Sequence, residues 1–316
     1  MRLGVNTSGS SLRFVFAAFS AIVYLSTAIP QHAPAQANPN APQGRRQGPP
    51  GSSRRSGQKA ILIWADTRNG IAQHDSVSHA MSVIERLGYE SGAYFAYIRT
   101  DSNTISRHPK MTNGKPASGG PSLENVDAIF FLGHREIELD ADEKADLMAF
   151  VHDEGKGFVA AHTALTAFES WPEFGELLGG RFAGHPWGNV EGPVINEEPN
   201  FPATKHFPQI FTIKDEFYLP KEFSRDKIDV LLRLDARKLE ASQSPVESSA
   251  DVPLAWAKMY GKGRVFYSSF AHDASTWDNP AIQKMYLEAI KWALGLTDAQ
   301  VERHAVRNPE SVDQSK

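Results

Sequence analysis

Short runs of apolar, β-branched and aromatic residues alternate along this chain with longer amphipathic stretches. Such alternation is typical of an α/β fold, in which crossover helices connect strands of a mainly parallel sheet. The sequence therefore predicts a doubly wound, mainly parallel α/β domain over residues 59–296. The predicted strands are 60–64, 94–98, 128–131, 157–161, 190–195, 230–234 and 264–268.

Three stretches between these runs have the periodicity of amphipathic helices. Residues 76–87 place Val77, Met81 and Ile84 on one face, and residues 141–151 have the same pattern. A third helix is predicted over 280–294, because proline begins it and Gly295 follows its end. Beyond it, residues 297–316 are polar, and we expect a frayed tail.

The first 37 residues have the composition of a secretory signal peptide. They contain two arginines, no acidic residue and an apolar stretch over 12–29, and they end in the small-residue triplet 35–37. The pattern predicts cleavage before Asn38, export to the periplasm or beyond, and no membrane span after cleavage. An uncleaved anchor is the alternative, because the apolar stretch is near the lower limit of about 17 residues for a spanning helix.

Residues 38–58 are rich in Pro, Gly, Ser, Gln and Arg, a composition that predicts a flexible linker. Its arginines are expected to be solvated, with contact to anionic lipid or wall polymer as the alternative. The chain has no cysteine, which excludes a lipoprotein anchor and leaves stability to the core.

The net charge argues against a nucleic-acid partner. Six of the 33 basic residues and none of the 37 acidic residues precede Lys59, so the rest of the chain has a net charge of −10. A domain this acidic lacks the basic surface that binds a phosphate backbone.

Histidines follow three of the predicted strands, and the carboxyl ends of parallel strands form the ligand crevice of such folds. His74 lies in the polar loop after the first strand, while His162 and His272 follow the strands 157–161 and 264–268. His162 stands where a nucleophile elbow would place its reactive residue, but histidine suits acid–base work or metal ligation better. A buried histidine with satisfied hydrogen bonds is the alternative.

Two further segments add candidates for the pocket. His185 is held between glycine, proline and Trp187, whose ring could stack on a sugar or belong to the core. Asp215 and Glu216 would face opposite sides of a strand, so only one can point into the site, and we select Glu216. His206 is expected only to hold its loop.

These considerations assign His162, His272 and Glu216 to catalysis. A second set is assigned to substrate binding. That set is His74, Asp75, His185, Trp187 and Arg68. For Asp75 the alternative is a helix-capping role, since either Asp75 or Ser76 could be the N-cap of the helix that follows.

A divalent metal is the candidate cofactor, with His74, His162, His185 and His272 as its candidate ligands. Their spacing matches no recognised zinc motif. The polar segment 101–121 is predicted to be an insertion that covers the pocket.

Several segments together resemble the trehalose-utilisation, or ThuA-like, family, in the expected order over residues 60–296. They are the loop ending in His74-Asp75-Ser76, then 157–163, 171–175, 179–187, His206 with 215–218, and 261–267. The resemblance implies a flavodoxin-like fold similar to class I glutamine amidotransferases, with His162 at the place of their cysteine nucleophile. It also implies a carbohydrate-derived substrate, although fold analogy does not define the reaction.

The leading hypothesis is an exported enzyme that acts on a disaccharide or keto-glycoside through this histidine-rich pocket. A noncatalytic carbohydrate-binding or envelope adaptor module is one alternative. A metal-dependent hydrolase of another small polar substrate is the other. No carboxylate pair is placed at two strand ends, so the sequence gives no support to a simple retaining-glycosidase mechanism.

Overall fold

A computed structural model describes residues 53–111, 113–239 and 251–307. The predicted signal peptide, residues 38–52 of the linker, residues 240–250 and the last nine residues of the tail lie outside the described residues.

The core of the domain is a nine-stranded mixed sheet with the strand order β2-β1-β3-β4-β11-β10-β9-β6-β7. A separate two-stranded sheet pairs β5 with β8. The strands are β1 Ala60–Trp64, β2 Phe95–Arg99, β3 Ala128–Phe131, β4 Gly157–Ala161, β5 Arg181–Gly184, β6 Asn189–Asn196, β7 Ile210–Glu216, β8 Leu219–Lys221, β9 Asp229–Leu234, β10 Pro253–Tyr260 and β11 Gly263–Ser268.

The strands β2, β1, β3, β4 and β11 form the parallel half of the sheet. Helices cover both of its faces, which confirms the predicted doubly wound α/β class. One face packs against α1 and α5, and the other packs against α2 and α3. The helices are α1 Ser76–Ser91, α2 Ala141–His152, α3 Pro172–Leu178, α4 Ala274–Asp278 and α5 Pro280–Ala293.

Local sequence signals explain where the predicted helices begin and end. Asp140 and Glu143 form a reciprocal capping box at the start of α2. The side chain of Asn279 accepts a hydrogen bond from the backbone of Ala281 at the start of α5. Gly92 ends α1 with a φ of 66°, a left-handed conformation that glycine adopts without steric cost.

The register of the parallel strands brings their carboxyl ends to one edge of the sheet. Trp64 of β1 pairs with Phe131 of β3, and Ala161 of β4 pairs with Ser268 of β11. The loops that carry His74, His162 and His272 therefore leave the sheet at the same edge.

The second half of the sheet is antiparallel, and the sequence predicted only β6 and β9 of its four strands. β10 pairs with β11 and β9, and the long hairpin of β6 and β7 pairs with β9 through the second half of β6. The first half of β6 is thus paired only with β7. The outer end of this hairpin is free to bend away from the sheet.

The described parts of the predicted flexible linker and frayed tail lie against the domain, contrary to the prediction. The Arg54 guanidinium donates to the Asn125 carbonyl and the Asp127 carboxylate. At the other end, residues 297–307 lie against the sheet, where Arg307 contacts Glu198. None of the helices in the described residues is long and apolar enough to cross a bilayer.

One buried carboxylate holds several of these segments together. The side chain of Glu197 is fully buried and accepts hydrogen bonds from the guanidinium groups of Arg225 and Arg233. His304 Nδ1 lies 3.5 Å away from the same carboxylate. Glu197 is therefore the counter-charge of Arg233 inside the fold, while it shares Arg225 with Asp251.

Replacing Glu197 by glutamine should strongly destabilise the protein. The isosteric change leaves the buried Arg233 guanidinium without its counter-charge, a loss of about 3 kcal/mol, or roughly 6–12 °C in Tm for a domain of this size. Thermal denaturation followed by circular dichroism measures the effect. Glu191→Gln, on the exposed side of β6, is the matched control. Equal Tm values for the two variants would contradict the role of Glu197.

Candidate active site at the carboxyl edge of the sheet

His162 occupies a sharp turn directly after β4. Its backbone has a φ of 42°, which is unusual for a residue with a side chain and is the kind of strain found at functional positions. The ring is nearly completely buried, and its Nδ1 lies 2.6 Å from the Ser269 carbonyl oxygen. Since that oxygen can only accept, Nδ1 carries a proton, and in the neutral ring Nε2 is an acceptor.

His272 and Glu216 meet the other nitrogen of this ring. His272 Nδ1 lies 3.3 Å from His162 Nε2 and 3.1 Å from Glu216 Oε2. Glu216 Oε2 lies 3.5 Å from His162 Nε2. His162 Nε2 in the neutral ring and Glu216 Oε2 both carry lone pairs, so the group requires a proton, which His272 Nδ1 can supply, or a bound cation between its members.

Glu216 reaches this group because the β6–β7 hairpin bends over the edge of the sheet. In the strand order β7 is five positions from β4, and a flat sheet with a spacing of about 4.8 Å would separate them by roughly 24 Å. Asp215 fixes the bent position. Its buried carboxylate accepts hydrogen bonds from the backbone N–H groups of Ala271 at 2.9 Å and His272 at 3.1 Å.

The electrostatics keep Glu216 ionised. Burial alone would raise its pKa, but the adjacent His162 and His272 rings, which can share or take up a proton, hold the pKa of this carboxyl below its ordinary value. The neighbouring Asp215 differs, because burial raises its pKa despite its backbone donors.

His74 completes the group from the loop that precedes α1. Its ring packs edge-on against the rings of His162 and His272, at centroid distances of 5.1 and 4.8 Å. Burial and the charges of these two rings lower its pKa from 6.5 to about 4. His74 is therefore neutral at physiological pH, which is the form that ligates a metal or accepts a hydrogen bond.

Aromatic residues and His185 form the opposite wall. Tyr218 stacks on His162 with a centroid distance of 4.1 Å, and Phe182 contacts Tyr218 edge-on. His185 Nδ1 lies 3.4 Å from Glu216 Oε1, while half of its side chain is exposed. A ligand in this site would therefore meet His185 and the partly exposed His272 before the buried His162.

The other residues predicted for the pocket are placed differently. Arg68 is exposed beside the site and donates to Asn103, while Asp75 is exposed and its side chain makes no capping hydrogen bond. Trp187 is 7% exposed and packs within the core, so it offers no open face for stacking. His206 Nε2 lies 2.8 Å from the Ala281 carbonyl, outside the cluster.

Four side chains fit a divalent transition metal, and we call them the His–Glu cluster. One ligand atom from each of His74, His162, Glu216 and His272 lies within 4.8 Å of all the others. Imidazole and carboxylate donors suit zinc and related metals. The Ser269 carbonyl orients the His162 ring as second-sphere carbonyls do for metal-bound imidazoles. His185, a fourth histidine candidate in the sequence, is not part of this set.

Sequence reasoning missed three contributors to the site. His134 packs edge-on against His74 at 5.4 Å and lies three residues after β3, in a segment that the strand-end rule selects, although the residue itself was not assigned to the site. Asp215 was set aside because it faces away from Glu216, yet its carboxylate positions the loop of His272. Nothing in the sequence indicates that Tyr218 stacks on His162.

Comparison with known proteins defines the family. Residues 60–293 match the family model described as "ThuA: Trehalose utilisation". The chain belongs to the ThuA family. Membership associates this ThuA protein with carbohydrate utilisation, and it confirms the resemblance drawn from the sequence motifs.

Two solved structures share the fold of this ThuA protein. A ThuA-like protein from Bacteroides uniformis is 20% identical with a TM-score of 0.60, and the match covers 78% of this chain and 95% of that chain. A ThuA-like protein from Parabacteroides merdae is 16% identical with a TM-score of 0.56, covering 77% and 92%. No curated protein matches the sequence.

The low pKa of His74 predicts how acid destabilises the metal-free protein. Between pH 6.5 and about 4 the unfolded chain binds a proton that folded His74 does not, so the free energy of unfolding falls as the pH is lowered through this range. In His74→Asn this dependence should be weaker. Part of it should remain, because burial and the charge of Arg135 also lower the pKa of His134.

Urea denaturation at several pH values, with a chelator present, measures this dependence. His79→Asn is the control, because His79 is a largely exposed histidine on α1. An unchanged pH dependence in His74→Asn would show that His74 titrates normally in the folded protein.

Proposed function

We propose that this ThuA protein is an exported enzyme that acts on a disaccharide or keto-glycoside at the His–Glu cluster. The observation that carries the proposal is the contact of His162, His272 and Glu216 within 3.1–3.5 Å at the carboxyl edge of the sheet. Export is supported by the signal-peptide pattern of residues 1–37. The carbohydrate substrate is supported by the family description.

The exposure of the three side chains assigns them different tasks. His272 is about a quarter exposed, so it is the group that exchanges a proton with the substrate. Glu216 remains ionised beside it and stabilises the imidazolium that forms when His272 accepts a proton. His162 is buried and acts behind them, since its tautomer is fixed by the Ser269 carbonyl.

The same atoms offer a place for a divalent cation. A bound metal would polarise a substrate carbonyl or hydroxyl as a Lewis acid. His74, neutral because of its low pKa, would hold it together with His162, His272 and Glu216, and in that state His272 would be a ligand instead of the proton-exchanging group. The protein's own contribution is to orient these donors and to exclude water with the Tyr218 wall.

Replacing His272 by glutamine should lower kcat by about 10²–10⁴-fold, because a positioned acid–base group contributes rate enhancement of this order. The glutamine keeps a polar side chain of similar length, so the fold should be retained. Turnover is measured on disaccharides and their 3-keto derivatives, with and without added divalent metals. His79→Gln is the matched control and should retain wild-type kcat.

His162→Ala should abolish turnover while the circular dichroism spectrum remains that of the folded protein. Metal analysis of the purified variants adds an independent measurement, since loss of one ligand should reduce bound metal. If the wild-type protein binds a disaccharide but yields no product with any metal, the enzyme proposal fails and a sugar-binding module replaces it. Activity confined to non-sugar esters or amides would instead indicate a hydrolase of another substrate.

A further inference from the structure

A second cavity opens beside the His–Glu cluster and is formed by the same loops. Its volume is about 610 Å³, within the range of roughly 300–1,000 Å³ that is usual for small-molecule sites. We call it the side cleft. Its lining side chains include Asp66, Arg68, Ile71, Ser102, Asn103, Glu136 and Glu138.

The side cleft adjoins the His–Glu cluster through two loops. The loop after β1 contributes Asp66, Arg68 and Ile71 to the cleft and His74 to the cluster. The loop after β3 begins with His134, which packs on His74, and continues to Glu136 and Glu138. Asn69 joins the loops, because its side-chain amide donates to the carbonyls of His134 at 2.8 Å and Glu136 at 3.3 Å.

Its polar groups are held in place before any ligand binds. Asp66 accepts hydrogen bonds from the backbone of Arg68 at 2.8 Å and from the hydroxyl of Ser102 at 2.6 Å. Glu136 accepts from the backbone and hydroxyl of Ser170. Such preorganisation lowers the entropy cost of binding, as expected of a recognition surface.

We propose that the side cleft is a second sugar subsite, which makes the substrate a neutral disaccharide or longer saccharide. This inference rests on the proposed function, because the first ring would occupy the His–Glu cluster. Arg68, Asn103 and Glu138 present donors and acceptors for several hydroxyls, and the exposed side chain of Ile71 offers an apolar surface for a ring face.

The charge of the side cleft selects against anionic sugars. It is lined by the carboxylates of Asp66, Glu136 and Glu138 and by one cation, Arg68. Arg68 also donates to the side chain of Asn103. A phosphate or carboxylate on the second ring would therefore meet a net negative surface, which repels it.

The polar segment predicted to cover the pocket takes part in this subsite. Ser102 and Asn103 both line the side cleft, and they come directly after β2, at the start of that segment. Ser102 also links the segment to the sheet, because Trp64 Nε1 donates to its hydroxyl. The segment thereby extends a one-ring site into a site for two rings.

The test measures binding by calorimetry in a His272→Gln background, so that the ligand is not consumed. The probes are a neutral disaccharide, its component monosaccharide and the 6-phosphate of the same disaccharide. Glu138→Gln and Asn103→Ala should each lower the affinity for the disaccharide by about tenfold, the loss expected for a hydrogen bond to a charged or well-placed group. The affinity for the monosaccharide should change less than about twofold. The control Glu191→Gln should change the affinity for neither sugar.

The phosphorylated disaccharide should bind at least about tenfold more weakly than the neutral one. The subsite is overturned if the variants leave disaccharide affinity unchanged, weaken both sugars equally, or if the phosphorylated sugar binds as tightly. It is also overturned if neither neutral sugar binds. Turnover by the wild-type protein reports separately on the proposed enzyme function, so the two ideas can fail independently.

Discussion

The hydrogen bonds that the Asp215 carboxylate accepts from Ala271 and His272 hold the site together. They join the end of the β6–β7 hairpin to the loop after β11, and these two segments meet only because the hairpin bends over the sheet. This contact helps to hold Glu216 beside His162. The geometry of the His–Glu cluster therefore depends on a buried carboxylate that does not itself face the cluster. Hydrogen bonds from three backbone N–H groups offset the free-energy cost of burying this carboxylate.

The parallel half of the fold was predictable because its strands are buried on both faces. β1, β3 and β4 are continuous apolar runs, and the structure has them at the predicted residues. β7 was missed because Ile210–Glu216 alternates partly buried and exposed residues and ends in two carboxylates, a pattern that is also typical of a surface loop. β10 was not predicted as a strand, although the glycine-containing turn of Gly261 and Lys262 that joins it to β11 is a local hairpin signal.

The same distinction applies to the site. His74, His162 and His272 could be predicted from their positions after parallel strands, because strand direction alone brings those loops to one edge. The position of Glu216 depends on a bent antiparallel hairpin, and the roles of Asp215 and Tyr218 depend on contacts across more than 50 residues of sequence. Trp187 was assigned to substrate binding and lies in the core instead, since a tryptophan beside glycine and proline fits both places. Long-range packing decided each of these cases.

The chain enters the domain at the edge of the parallel strands opposite to the His–Glu cluster. Arg54 and Arg55 bind the carbonyls of Asn125 and Gly92, which precede β3 and β2 and so lie at the amino edge of the parallel strands. The His–Glu cluster lies at the carboxyl edge, about 17 Å away along a five-residue strand. Any partner joined to the N-terminal side would thus lie at the amino edge of these strands, opposite the cluster. The His–Glu cluster would then face away from that partner.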